Sequence, residues 1–162
     1  MPGPLDAPKA VVAIVAVELV RPLRQSVLRP GRPVEESVFP GDDDPRTVHV
    51  GARLDRGGDV VAVGSLLAEA PPWPVPDEVA TRCWRIRGMA TRPDLRGQGV
   101  GAAVLHELLR RAELAGGALV WCNARVPALS FYARAGFTPV GAPFEAPGIG
   151  PHQAMQRLSD LD

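Results

Sequence analysis

Three glycines stand at alternate positions in LRGQGVGAAVL, the segment from residue 95 to residue 105. Glycine weakens a helix or strand by about 0.5–1 kcal/mol relative to alanine, so three glycines in one short segment call for a reason. The segment lies between a strand-like stretch and a helix-forming one. The first backbone N–H groups of a helix have no partner within the helix, and the helix dipole adds positive potential there. The pattern therefore predicts a phosphate-binding loop built from main-chain amides.

Two common phosphate-binding motifs fit this segment poorly. A P-loop needs a lysine after its last glycine, and no lysine follows Gly97, Gly99 or Gly101. The dinucleotide fingerprint G-x-G-x-x-G/A is formally matched by Gly97, Gly99 and Ala102. However, RPDL separates these glycines from the preceding strand, and the next predicted strand ends near Asn123 instead of at an acidic residue. A tight turn that binds no ligand is the remaining simple interpretation.

The same residues resemble the acetyl-CoA signature of the GNAT superfamily of N-acetyltransferases, R/Q-x-x-G-x-G/A. Arg96, Gly99 and Gly101 occupy its fixed positions. A second family marker, an Ala-x-x-x-Tyr helix that ends in Gly-Phe, appears as ALSFYARAGF at residues 128–137. The order of predicted elements agrees with the family over residues 10–158. The resemblance implies transfer of an acetyl group from acetyl-CoA to a primary amine of a small molecule or peptide.

The elements that must position these motifs alternate between strands and helices. Short β-branched runs predict strands, helical periodicity predicts helices, and Gly and Pro mark the turns. The predicted order is β-α-β-β-β-α-β-α-β-β. The resemblance implies an α/β fold with a mixed, mostly antiparallel central sheet of about seven strands, splayed between the fourth and fifth strands and flanked by helices. Strands are predicted at residues 10–17, 47–54, 59–68, 82–91, 118–124, 137–144 and 152–158, and helices at about 19–29, 100–115 and 127–135.

The resemblance also assigns contacts to acetyl-CoA. It places the pantetheine arm in a V-shaped cleft between the fourth and fifth strands, and the pyrophosphate on the amides of residues 97–102. Arg125 stands where many family members have an asparagine that bonds pantetheine, and Asn123 lies two residues earlier, so that role is not transferred directly. The expected cofactor-binding residues are Met89, Ala90, Thr91, Arg96, Gly97, Gln98, Gly99, Val100, Gly101, Ala102, Asn123, Arg125, Ala128 and Tyr132.

Acetyl transfer needs a neutral amine, a donor to the carbonyl oxygen and an acid for the leaving thiolate. The resemblance implies that a backbone amide near Met89 donates to the oxygen and that Tyr132, the only tyrosine, is the acid. Tyr132 also lies on one apolar stripe with Ala128, Phe131 and Ala135, and a tyrosine with only a structural role in the core would give the same pattern. Glu145 and His152, which flank APGIG, are candidate general bases, and Glu69 is a third. A water relay without a single base is a further possibility.

The sequence defines the acceptor substrate less clearly than the cofactor. The acidic GDDDP run at residues 41–45 either attracts a cationic amine or is simply solvated. A non-catalytic acyl-CoA sensor or partner-binding module on the same fold is the rival function, and a homodimer is compatible with this fold. A pocket for an aromatic or acidic small molecule is suggested by Trp73, Trp84, Arg85 and Arg87.

The composition of the chain argues against several other classes of protein. The 162 residues include 18 basic and 18 acidic ones, without the basic stripe that nucleic-acid binding uses. The early apolar run at residues 10–17 is too short for a membrane span. Cys83 and Cys122 are too isolated for a disulfide framework or a zinc site, so no metal is expected. We expect a cytoplasmic protein with a flexible N-terminus at residues 1–8 and a single domain at residues 9–162.

Overall fold

The computed structural model describes residues 10–159, so the flexible N-terminus expected at residues 1–8 lies outside the described residues. The helices are α1 (Arg21–Leu23), α2 (Asp77–Ala80), α3 (Val100–Leu114) and α4 (Leu129–Arg134). The strands are β1 (Val11–Ile14), β2 (Val48–Arg53), β3 (Ala62–Ala68), β4 (Cys83–Thr91), β5 (Leu119–Arg125), β6 (Thr138–Pro139), β7 (Phe144–Ala146) and β8 (Gly150–Leu158). They form one eight-stranded sheet in the order β1-β2-β3-β4-β5-β8-β6, and β7 pairs with β8.

The sheet contains a parallel pair that separates along its length. β4 pairs with β5 in parallel from Cys83 opposite Leu119 to Arg85 opposite Trp121, and their paired register ends there. Both strands nevertheless continue beyond this point. β1 is antiparallel to β2, and β8 is antiparallel to β5, β6 and β7. The predicted mixed sheet with a splay between the fourth and fifth strands is confirmed.

The chain divides into two compact units. The first holds the described residues as far as Ser65, together with Gly88–Leu108. The second holds Leu66–Arg87 and the described residues from Leu109 onward. β3, β4 and α3 each run from one unit into the other. The single domain expected at residues 9–162 stays a prediction.

The helix predicted at about residues 19–29 is a series of short helical turns. A 3-10 turn at Val17–Leu19 and α1 lead into a π-helical turn at Arg24–Leu28. The spacing of Leu19, Leu23 and Val27 predicts one apolar face for this helix, and the structure shows it only in part. Leu23 and Val27 pack against a buried cluster of the first unit, which comprises Val20, Val63 and Ala90, whereas Leu19 is exposed. The single regular helix was wrong because the π-helical turn begins at Arg24, a residue whose side chain is fixed by buried partners.

Arg24 forms a buried ion pair that the sequence analysis missed. Its side chain is fully buried and donates two hydrogen bonds to the carboxylate of Asp42, at 2.7 and 3.0 Å. It also donates to the carbonyl of Ser37 at 3.1 Å and to the hydroxyl of Ser65 at 2.9 Å. Its guanidinium lies 4.0 Å from the centre of the Phe39 ring. The pair therefore ties together several separate segments of the first unit.

This arrangement corrects the two interpretations of the acidic run at residues 41–45. Asp42 is buried against Arg24, and Asp44 pairs with the exposed Arg46 at 3.1 Å. Two of the three acidic residues are therefore paired within the chain. The run is neither a simple solvated loop nor an unpaired acidic patch for a cationic amine.

Two predicted strands have different bounds in the structure. The strand predicted at residues 10–17 is only the four-residue β1, because the chain turns at Val17–Leu19. The strand predicted at residues 137–144 divides into β6 and the start of β7. Pro139 and Pro143 lack the N–H that a continuous ladder requires, and Gly141 between them is left-handed with φ 69°. The proline-rich connection after β3 also contains the short helix α2.

Removing Arg24 tests the energetic weight of the buried pair. Arg24→Met leaves the Asp42 carboxylate buried without its cation, so we expect the free energy of unfolding to fall by about 3–5 kcal/mol. Urea denaturation measures this change. Arg32→Met is the matched control, because Arg32 pairs with Glu36 at the surface and such pairs contribute about 0–1 kcal/mol. Equal effects of the two substitutions would contradict the structural role of the pair.

The ionisation of Asp42 makes stability sensitive to acid. Burial raises the pKa of Asp42, but hydrogen bonds from Arg24 and from the backbone N–H of Phe39 outweigh it, and the net pKa is lowered. The stabilisation is therefore complete above the unfolded value of about 3.9 and is lost as the pH falls through the folded pKa. Urea denaturation at a series of pH values should show a steeper loss of stability below about pH 4 in the native protein than in Asp42→Asn. Parallel curves would show that another group controls the acid limit.

Candidate active site

The loop between β4 and α3 is open above its glycines. Pro93–Leu95 form a 3-10 turn, and the chain then passes through Gly97 and Gly99, whose φ values are 78° and 84°. Residues with a side chain rarely adopt these left-handed values, which explains the glycine at both positions. A Cβ added at either glycine would meet no atom within 4 Å. The backbone is therefore accessible to a ligand at both positions.

The amides of this loop have no partners in the backbone. Within residues 10–159, no N–H from residue 97 to residue 102 donates a hydrogen bond to a main-chain carbonyl. The first such bond of α3 runs from the N–H of Ala103 to the carbonyl of Gly99, at 3.0 Å. α3 contains 15 residues, and its dipole places positive potential at the same end. This geometry matches an anion site made from backbone amides.

Arg96 adds a side-chain cation at the start of the loop. It is exposed, and the nearby carboxylate of Asp94 is already held by Arg92 through bonds of 2.7 and 3.0 Å. In the described part of the chain, Arg96 forms no ion pair. The simple alternative of a surface salt bridge therefore finds no partner. Gln98 extends its side-chain amide to the carbonyl of Asp94 at 3.2 Å, which steadies the loop.

Gly88 interrupts β4 with a left-handed residue, φ 69°. A Cβ at this position would lie 2.9 Å from Nε of Arg24 and 3.3 Å from the Phe39 ring. The buried Arg24 therefore packs directly on the strand where its backbone turns, immediately before Met89. The sequence analysis did not single out Gly88. Its signal was present, since a glycine within a strand pattern marks a bulge or a close approach.

The Met89 side chain is used in packing. The Met89 sulfur lies against Gly64 of β3, where a Cβ would collide with it and would lie 2.8 Å from Leu108. Ala90 is buried, and Thr91 is the last residue of β4. These three residues, expected to contact pantetheine, thus occupy consecutive positions after the left-handed residue of β4.

Tyr132 of the second unit is a buried phenol. It packs edge-to-face with Phe131 and Phe137, with ring centres 5.1 and 5.6 Å apart. Burial, with a smaller contribution from Cys122, raises the pKa of Tyr132 far above its ordinary value. Among the described residues, its hydroxyl forms no hydrogen bond. A tyrosine hydroxyl without a partner in the protein can hydrogen-bond a ligand or water.

Cys122 lies close to Tyr132 and is not a nucleophile at neutral pH. Burial raises the pKa of its thiol to about 12, and the positive charge of Arg85 only partly opposes this. The sequence analysis interpreted Cys122 as an ordinary buried thiol, and the structure confirms its burial.

The end of β5 carries the other expected cofactor residues of the second unit. Asn123 is exposed and lies opposite Ala154 of β8, whereas Arg125 is half-buried and lies opposite His152. Ala128 is half-buried and ends the 3-10 turn that leads into α4. In an antiparallel pair, residues directly opposite each other share a face of the sheet. Arg125 and His152 therefore lie on one face.

His152 has a defined tautomer. Its Nδ1 lies 2.9 Å from the carbonyl of Gly150. Because a carbonyl only accepts hydrogen bonds, Nδ1 carries the proton, and Nε2 of the neutral ring keeps its lone pair. The ring stacks on Phe144 at 5.8 Å, and the side chain is nearly buried. Glu145, the other candidate base beside this loop, is exposed on β7.

Trp121 contacts two residues of the predicted acceptor pocket, Trp73 and Arg85. Its indole N–H donates to the carbonyl of Glu69 at 2.8 Å, and Trp73 meets its ring edge-on at 5.5 Å. The Arg85 guanidinium lies 4.7 Å from the Trp121 ring centre and 3.1 Å from the Glu69 carboxylate. Trp84 packs elsewhere, against the turn that follows α3. The Glu69 carboxylate is thus in an ion pair rather than a free base.

A comparison with protein families decides the class of this chain. Residues 18–137 match the model of the acetyltransferase (GNAT) family. The chain belongs to the GNAT family. The N-acetyltransferase YitI from Bacillus subtilis (strain 168), itself uncharacterized, is 30% identical over 146 residues, which cover 90% of this chain and 94% of the relative. This GNAT protein is therefore an acyltransferase that transfers acetyl groups, and the dinucleotide-binding interpretation of its glycines is wrong.

Solved structures share the GNAT fold with it. The ribosomal-protein-S18-alanine N-acetyltransferase from Escherichia coli superimposes with a TM-score of 0.69 at 16% identity, covering 95% of this chain and 96% of that one. The IAA acetyltransferase from Bacillus cereus ATCC 14579 gives 0.67 at 17% identity, covering 93% of this chain and 100% of that one. At these identities, the two structures establish the fold.

No helix in residues 10–159 combines the length and the apolar character needed to cross a bilayer. Over the same part of the chain, no group of three His, Cys, Asp or Glu side chains is placed to hold a metal ion.

A methyl group at Gly99 should weaken the binding of coenzyme A. Gly99→Ala introduces both a left-handed alanine and a Cβ over the open amides, so we expect the dissociation constant for CoA to rise about tenfold or more. Isothermal titration calorimetry measures it. Gly57→Ala is the matched control, because Gly57 has φ 82° and equally open space but lies in the β2–β3 turn. Equal CoA affinities in the two variants would contradict the loop's role.

Proposed function

We propose that this GNAT enzyme transfers an acetyl group from acetyl-CoA to a primary amine of a small molecule or peptide by direct attack. The observation that carries the proposal is the run of amides at residues 97–102, which donate to no main-chain carbonyl within residues 10–159 and have open space above Gly97 and Gly99. A diphosphate is an anion that such amides can bind from several sides. The proposal takes residues 9–162 as one acetyltransferase domain.

Each expected cofactor residue has a role in this proposal. The amides of residues 97–102 hold the pyrophosphate, and the Arg96 guanidinium adds a charge-assisted hydrogen bond. The backbone from Met89 to Thr91 bonds the pantetheine arm in the manner of a strand. Further contacts to the arm come from Asn123, Arg125, Ala128 and Tyr132.

Acetyl-CoA, when bound, supplies an acetyl group activated as a thioester. The backbone N–H at Met89 or Ala90 donates a hydrogen bond to the carbonyl oxygen as it gains negative charge. The left-handed Gly88 precedes both residues and fixes the direction of the main chain there. The buried Arg24 that packs on Gly88 helps to hold this geometry. The donor is therefore fixed before substrate arrives, as electrostatic stabilisation requires.

Tyr132 protonates the leaving thiolate, and the proton that the attacking nitrogen loses as the amide forms restores the phenol, directly or through water. Burial keeps its phenol protonated at the pH of catalysis, so it is always available as a donor. A free phenol has a pKa of about 10 and a free thiol about 8.5, which makes the transfer unfavourable in water. Desolvation raises the pKa of thiols as well as phenols, and this makes a buried thiolate a stronger base. A hydroxyl that lacks a protein partner can turn toward the sulfur.

His152 is the candidate base that the local geometry favours. Its Nε2 keeps a lone pair because Nδ1 donates to Gly150. Glu69 is paired with Arg85, and Glu145 lies in solvent. Removal of the amine proton by His152, directly or through water, gives the neutral amine that attacks the carbonyl carbon.

Replacing Tyr132 separates catalysis from cofactor binding. Tyr132→Phe keeps the buried ring but removes the acid, so we expect kcat to fall about 10²-fold or more while CoA affinity stays nearly unchanged. Release of CoA from acetyl-CoA, followed with a thiol reagent across a panel of primary amines, measures the rate. Calorimetry with CoA provides the binding control.

Three outcomes of this assay separate the functions. Amine-dependent CoA release that is lost in Tyr132→Phe supports the proposed mechanism. Unchanged kcat in the variant removes Tyr132 from it. CoA binding without thiol release from any amine favours the acyl-CoA sensor instead.

A further inference from the structure

Arg21 is a half-buried cation without a hydrogen-bond partner. Its side chain is 26% exposed, and its Nε is buried with no partner. The nearest carboxylate oxygen, on Asp42, lies 3.9 Å from its terminal nitrogen, which is too far for a hydrogen bond. Among the described residues, the Arg21 guanidinium makes no hydrogen bond. By contrast, Arg32 and Arg92 each hold a neighbouring carboxylate in two bonds of 2.7–3.0 Å.

The carboxylate beside Arg21 is committed to another arginine. Asp42 accepts two hydrogen bonds from Arg24 and one from the backbone N–H of Phe39 at 2.9 Å. Two guanidinium groups thus share this carboxylate, and the three side chains together carry one excess positive charge. Arg24 is fully buried and uses four of its five N–H groups internally. Arg21 is therefore the member of this group that can bind an external anion.

A chain of side-chain contacts within the first unit links this cation to the strand of the proposed reaction centre. Arg21 contacts Asp42, Asp42 binds Arg24, and Nε of Arg24 lies 2.9 Å from the Cβ position of Gly88. Gly88 directly precedes Met89, whose backbone we assign to the thioester. Two buried side chains, those of Asp42 and Arg24, thus connect Arg21 to the strand that carries the reacting backbone.

We propose that Arg21 binds the carboxylate of the acceptor, so that the substrate is an amine that also carries an acid group, such as an amino acid. The inference rests on the proposed function. The terminal nitrogens of the Arg21 guanidinium make no hydrogen bond within the described residues, and such a planar group matches a carboxylate in two parallel hydrogen bonds. A phosphate of CoA presents similar oxygen atoms, but the amides of residues 97–102 already provide for the pyrophosphate.

Kinetics with matched acceptors test this assignment. The panel contains amino acids, ω-amino acids and the carboxamide of each, which keeps the amine and removes the negative charge. In the native enzyme, kcat/KM for the acids should exceed that for the amides by about tenfold or more. Arg21→Gln should bring this ratio close to one, mainly by raising KM for the acids. Arg21→Lys keeps the charge without the planar fork and should give an intermediate ratio.

Arg32→Gln is the matched control, because Arg32 belongs to the same unit and pairs with Glu36 at the surface. It should keep the preference for acids. Melting temperatures of all variants show whether each is folded. CoA calorimetry on Arg21→Gln then identifies the anion: an unchanged affinity supports the acceptor carboxylate. Weaker CoA binding with no change in the acid preference would assign Arg21 to a CoA phosphate and overturn the inference.

A binding measurement decides the question without turnover. With CoA present, N-acetylglycine should bind the native protein more tightly than N-acetylglycinamide, and Arg21→Gln should remove the difference. If no amine is acetylated but this difference is seen, the proposed acetyl transfer to amines fails and the carboxylate site stands. If acids and amides are equivalent in both turnover and binding, the carboxylate site is overturned while amine acetylation stands.

Discussion

Six consecutive backbone amides, at residues 97–102, donate to no main-chain carbonyl within residues 10–159, and the rest of the site depends on this constraint. Left-handed glycines turn the chain between β4 and α3 and leave no side chain over the amides. α3 adds its dipole at the same point. Exposed N–H groups remain hydrated in the free protein, and a diphosphate can replace that water with charge-assisted hydrogen bonds. Binding energy at this loop would then position the distant thioester along β4.

A buried polar network supports the other end of this segment. Arg24 and Asp42 lose hydration on burial, and their mutual bonds offset that cost. Ser65 accepts from Arg24, so its hydroxyl proton is directed to Nδ1 of His49, at 2.7 Å. The Nε2–H of His49 donates to the carbonyl of Asp42 at 3.1 Å. Every donor of the arginine except Nε is thus used, and that nitrogen lies against Gly88. The same contacts of Arg24 therefore stabilise the first unit and fix the backbone of β4 at Gly88.

The sequence predicted those parts of the fold and the site in which a residue type has a single structural role. The spaced glycines, the single tyrosine before Gly-Phe and the β-branched runs predicted the loop, α4 and most of the strands. Partners that depend on tertiary structure could not be predicted. Arg24 lies beside the apolar residues Leu23 and Val27 in the sequence, as many surface arginines lie beside apolar residues. Nothing in the acidic run distinguishes buried Asp42 from exposed Asp43. The same limit applies to the hydroxyl of Tyr132, because only the structure shows that it lacks a partner.

Nuclear magnetic resonance of the ¹⁵N-labelled full-length protein tests the central claim most directly. Amide signals of residues 97–102 can be followed during titration with CoA and, separately, with pantetheine, which lacks the pyrophosphate. Coenzyme A should shift these signals downfield as their N–H groups engage the diphosphate, whereas pantetheine should leave them in place. Signals that do not move with CoA, or that move equally with pantetheine, would contradict a diphosphate site at the start of α3.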